Sequence, residues 1–118
     1  MPGSIGTNDS DMMNEKFVLV GGLVAMGFDS TGRYLLVVSH SGRGVFEVSE
    51  WKRVARDVAV VYPHEGRIEG IGPLAGISVP VFQRDQIVET IRIRSPDGRL
   101  DLLGESDGIT VREVHAHE

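Results

Sequence analysis

The apolar positions of this chain fall in short runs separated by turns that carry glycine. Leu35, Leu36, Val37 and Val38 are consecutive. Neighbouring side chains of a strand point to opposite faces, so an unbroken apolar run predicts a central strand covered on both sides. The turn His40-Ser-Gly-Arg43 follows, and residues 44–48 predict the returning strand. Residues 87–94 alternate instead, with Ile91 and Ile93 facing one way and Arg92 and Arg94 the other, as in a half-exposed strand. Ser95-Pro-Asp-Gly98 is a strong turn signal, because proline presets φ and glycine closes the turn. Residues 99–103 and 109–114 predict a second hairpin, with Ile109 and Val111 turned inward and Thr110 and Arg112 turned to water. Gly21-Gly22 divides the apolar run 17–28 and predicts a bend there. Residues 58–62 predict a buried strand, and the Gly- and Pro-rich stretch 66–80 predicts loop with a short strand at 77–79. Residues 49–57 fit two patterns. Trp51, Val54, Ala55 and Val58 repeat at helical spacing behind a capping Ser49, which predicts one short helix; the same letters also fit a strand.

Sliding the chain by 66 residues sets 28–48 over 94–114 without a gap, and seven of the twenty-one positions are identical. They include the turn glycines Gly32/Gly98 and Gly42/Gly108, and the endings Glu47-Val48 and Glu113-Val114. The expected fold is mainly β: a small single-domain antiparallel sandwich or open barrel built on two related hairpins. Residues 95–114 resemble the central hairpin of a WD-repeat blade, and residues 29–48 resemble it more loosely. The resemblance covers about forty residues of 118. It implies blades of the β-propeller kind, which serve mostly as binding platforms and are seldom enzymes. The Gly-His and Trp-Asp dipeptides of that family are absent, and the offset of 66 exceeds its usual period of about 40–45. A closed propeller also needs about four blades or more, and two hairpins supply two.

Composition narrows the picture. With 118 residues the chain has the length of one domain, assigned here to 15–118 after a disordered arm at 1–14. Aromatic residues make up 6%, so the core falls to Val, Ile and Leu. The net charge of −5 argues against nucleic acid as a partner. Arg33, Arg43, Lys52, Arg53 and Arg56 are interspersed with acids and read as solvated surface, with a small basic patch as the alternative. The absence of cysteine removes thiolate chemistry, disulfides and cysteine-based metal sites. The run 17–28 is too short to cross a bilayer, and the acidic residues Asp9, Asp11 and Glu15 precede it where a signal peptide wants positive charge. The expectation is a cytoplasmic protein with no membrane partner.

Few residues suggest chemistry. Ser39-His40-Ser41-Gly42-Arg43-Gly44 joins hydroxyls, an imidazole and a guanidinium on a Gly-rich turn, where backbone N–H groups can also meet an anion. Adjacent Ser and His in a strand point apart, which is poor geometry for a nucleophile and its base. Trp51, the single tryptophan, is a core anchor or a ligand platform. His115 and His117 share a face if the last strand continues, and His64 or Glu65 could add a third metal ligand. No cofactor is implied. The leading expectation is a non-catalytic module that binds another protein or itself, as a homodimer or larger homo-oligomer. The second is a small-ligand, anion-binding or hydrolytic protein using the turn at 39–44.

Overall fold

The computed structural model describes residues 15–114. The expected arm at 1–14 lies outside them, as do His115 and His117. The strands are β1 (Glu15–Leu19), β2 (Leu23–Phe28), β3 (Tyr34–Ser39), β4 (Gly42–Glu47), β5 (Lys52–Asp57), β6 (Arg67–Glu69), β7 (Ser78–Pro80), β8 (Phe82–Gln83), β9 (Ile91–Arg94), β10 (Leu100–Glu105) and β11 (Gly108–Glu113). Among the described residues a single 3-10 turn, Gly72–Leu74, precedes β7. The protein is mainly β, as its apolar pattern predicts.

The strands form two antiparallel sheets and a small hairpin. One sheet runs β1-β11-β10-β9, the other β5-β4-β3-β2-β8, and β6 pairs with β7. The five-stranded sheet is the middle layer. Leu23, Met26, Leu35, Val37 and Phe46 on one face pack with Ile91, Ile93, Leu102, Ile109 and Val111 of the four-stranded sheet. Leu36, Val38 and Val45 on the opposite face pack with Ile68, Leu74 and Val79 from the β6–β7 region. This division explains the unbroken run in β3. Leu35 and Val37 serve one core, Leu36 and Val38 the other, and all four are buried. Burying a side chain of this size contributes about 1.5–3 kcal/mol. In β9, Ile91 and Ile93 are buried while Arg92 and Arg94 are exposed, so the alternation holds.

The two hairpins share one register. Tyr34 stands opposite Glu47 and Ser39 opposite Gly42; Leu100 stands opposite Glu113 and Glu105 opposite Gly108. The preceding strands also join at matching positions, Phe28 opposite Leu35 and Arg94 opposite Asp101. Gly32 and Gly98 both have φ +76, a left-handed conformation that glycine adopts without steric cost. In the first sheet described, β1 lies antiparallel beside β11. In the other, β5 lies antiparallel beside β4. Each hairpin thus belongs to a run of four antiparallel strands, one of which takes its outer strand from the start of the chain.

Two expectations are corrected. Residues 49–57 contain no helix: a turn at 48–51 leads into β5. The cause of the helical pattern is a β-bulge. The pairing of β4 with β5 shifts between Val45/Ala55 and Phe46/Arg53, leaving Val54 as the extra residue. A bulge breaks the two-residue alternation and imitates a longer period. Residues 58–62 are not a buried strand either. They form no strand, and Val58, Val60 and Tyr62 are exposed.

Candidate functional site

Among the described residues, clefts open between the sheets at two places. The smaller, of about 190 Å³, is bounded by β3, β4 and β5 on one side and by residues 19–21 on the other. Val37 and Phe46, both buried, form its apolar floor. Ser39, Ser41 and Arg43 line it, so most of the turn singled out in the sequence does face a cleft. His40 does not line it. The imidazole lies against Gly22 on an exposed corner, and its backbone N–H donates to the Gly22 carbonyl at 3.0 Å.

The serines are occupied with each other. The Ser39 and Ser41 hydroxyl oxygens are 3.1 Å apart, and Ser39 Oγ also donates to the Gly42 carbonyl at 3.3 Å. No hydrogen bond joins either serine to an imidazole among the described residues, so the turn offers no activated nucleophile. Arg43 is held in place. Its Nη2 donates to Asp57 Oδ2 at 2.6 Å, its Nε to Asp57 Oδ1 at 3.3 Å, and its Nη1 to the Glu69 carbonyl at 3.0 Å. The Arg43 guanidinium holds the Asp57 carboxyl below the usual aspartate range, against the opposing effect of burial.

Arg53 and Arg56, read in the sequence as solvated surface, belong to no site predicted there. Both line the smaller cleft, Arg53 opposite Phe46 and Arg56 opposite Gly44. Residues three apart in a regular strand face opposite ways. The bulge at Val54 brings these two to one face. The Arg53 guanidinium lies 5.4 Å from the centre of the Phe46 ring. The visible signal was the basic run Lys52, Arg53, Arg56 in an acidic chain.

The larger cleft, of about 660 Å³, is lined by equivalent residues of both hairpins: Arg33 and Arg99, Glu47 and Glu113, Val48 and Val114. Trp51 lines it as well, half-buried, with its ring 6.4 Å from that of Phe46. The Trp51 backbone has φ 55, in the left-handed region where a bulky side chain is strained. The Ser49 hydroxyl and the Glu50 amide donate to the Glu47 carboxylate, and the Ser49 hydroxyl keeps its pKa lowered. Glu47 is therefore a standing acceptor rather than a proton donor near neutral pH.

His64 sits in an exposed turn with its Nε2 3.9 Å from Glu65 Oε2. Among the described residues no three His, Asp or Glu side chains group as metal ligands. No helix among them is long and apolar enough to cross a membrane. No protein family, curated protein or solved structure matches the chain.

Proposed function

We propose that this chain is a non-catalytic interaction module, made of two blade-like units of four antiparallel strands, that associates with a second copy of itself or with another protein. The observation that carries this reading is the uncovered outer face of the β1-β11-β10-β9 sheet. Phe17 and Leu19 project from the edge strand β1 with 51% and 72% of their surface exposed. An edge strand presents unpaired N–H and C=O groups, and apolar side chains beside it make that edge a docking site. Leu103 lies on the same face, between Thr110 and Arg92, and two cross-strand ion pairs flank it. Arg94 pairs with Asp101 and Arg112 with Glu15 across neighbouring strands.

The shared register at an offset of 66 supports the blade reading. Two such units are fewer than a closed propeller needs, which favours association. The acidic net charge and the scarcity of convergent catalytic groups support a cytoplasmic binding role without nucleic acid. The test is solution mass by sedimentation or light scattering. The wild-type chain is expected to form a symmetric oligomer, and Leu19→Glu to shift it towards monomer while far-UV circular dichroism stays unchanged. A wild-type monomer at all accessible concentrations removes self-association. Failure of Phe17→Glu and Leu19→Glu to alter an observed oligomer moves the interface off this face.

A further inference from the structure

We infer that the smaller cleft is a binding site for a small amphipathic carboxylate, a single-ring or branched-aliphatic acid, with its charge between Arg53 and Arg56. The inference is independent of the association reading above.

It begins with charge. Among the described residues neither Arg53 nor Arg56 has a carboxylate partner. The one acid lining the cleft, Asp57, is taken up by Arg43 through two guanidinium hydrogen bonds and one from the Arg43 amide. Arg43 and Asp57 therefore cancel, and the two remaining guanidinium groups leave the cleft positive in a chain of net charge −5. Charged groups against a low-dielectric wall focus their field into the opening and draw in anions.

The bulge makes the pairing possible. Without Val54 as the extra residue, Arg53 and Arg56 would lie on opposite faces of β5. Gly44, directly opposite Arg56, keeps the floor between them open. A Cβ built there would meet nothing closer than 3.7 Å. Guanidinium groups present planar forks that match a carboxylate.

The floor sets the rest of the ligand. Val37 and Phe46 are buried beneath the arginines, and a free inorganic anion would make no use of them. The volume of about 190 Å³ is below the range for drug-sized ligands. A protein cavity of about 150 Å³ accepts a benzene ring. One ring or one branched chain fills the space, with its carboxylate at the arginine rim and the Ser41 hydroxyl at the turn end.

The experiment titrates the full chain, labelled with nitrogen-15, with benzoate, benzyl alcohol, acetate and inorganic phosphate. Benzoate is expected to saturate and to move the amides of Val37, Gly44 and Phe46. Benzyl alcohol and acetate each lack one half of the recognition and are expected to bind about tenfold more weakly or worse. Arg53→Ala and Arg56→Ala should each weaken benzoate about fivefold, and the double variant should abolish saturation. Arg33→Ala, in the other cleft, should leave it unchanged. Three results overturn the inference: no saturable benzoate binding, benzyl alcohol or phosphate binding as tightly as benzoate, or unchanged benzoate binding in a double variant with a dispersed, native spectrum. The comparison of ligands uses the wild-type chain alone, so it stands even if a variant fails to fold.

Discussion

Asp29 and Ser95 occupy the same place in the two hairpins, each buried at the head of its turn and each accepting a hydrogen bond from the amide five residues on. Tyr34 N–H donates to Asp29 Oδ1 at 3.1 Å, and Leu100 N–H donates to Ser95 Oγ at 3.0 Å. The second partner is exchanged between copies. Thr31 donates its hydroxyl to Asp29 Oδ2, whereas Ser95 donates its own to Asp97 Oδ1. Acid and hydroxyl have traded positions, and the closing bonds Gly32 N–H to Asp29 O and Gly98 N–H to Ser95 O are the same.

Asp29→Ala is therefore expected to destabilise the fold by about 1–3 kcal/mol, because it leaves the Tyr34 amide and the Thr31 hydroxyl without their acceptor. The double variant Asp29→Ser, Thr31→Asp rebuilds the arrangement of the second hairpin and should recover most of that loss. Urea denaturation measures both. A double variant no more stable than Asp29→Ala would show that the two turns are not interchangeable.

Stability should also fall in acid through Asp57. Its carboxyl, held by Arg43, takes up a proton less readily in the folded chain than in the unfolded one. The unfolded chain then binds more protons, so this contribution is complete above the ordinary aspartate range and is lost as pH falls through the folded value. Asp57→Asn should cost about 1–2 kcal/mol at neutral pH, since the pair is only partly buried. Its difference from wild type should shrink as pH drops below the aspartate range. Denaturant midpoints across a pH series test this, and a constant gap would contradict it.

Trp51 carries opposing effects. Its left-handed backbone is unfavourable for any residue with a Cβ, while its ring packs beside Phe46. Trp51→Ala keeps the first and loses the second. Trp51→Gly loses the ring but removes the strain, and should be more stable than Trp51→Ala by about 1 kcal/mol. Equal stability of the two, measured by thermal or urea unfolding, would indicate that the turn has another conformation in solution.

The sequence was most readable where one physical rule acted alone. Leu35 through Val38 had to be covered on both faces, and the three-layer packing does that. Ile91 and Ile93 alternated with arginines because that strand has one wet face. Residues 49–57 misled because a single inserted residue, Val54, shifts the alternation and gives strand β5 an apparent helical period. The same insertion hid the cleft, since Arg53 and Arg56 share a face only through it. Ser39 and Arg43 were identifiable from their turn, but the turn could not reveal that His40 would be drawn away against Gly22. Residues 58–62 looked buried by composition, yet only Val61 packs against a core, while Val58, Val60 and Tyr62 are exposed.

The pairing of β1 with β11 joins the two most distant strands of the fold. Arg112 Nε reaches Glu15 Oε2 at 2.8 Å across a separation of 97 residues. Strands β2 to β5 leave the ribosome together and can pair locally, but Leu23, Met26, Leu35, Val37 and Phe46 have no cover until β9, β10 and β11 follow. Closing so long a loop is slow, because its entropy is lost before its contacts form. The apolar face of the five-stranded sheet is thus sealed, and β1 paired, only by strands distant in sequence, which makes this closure a late, high-contact-order step of folding.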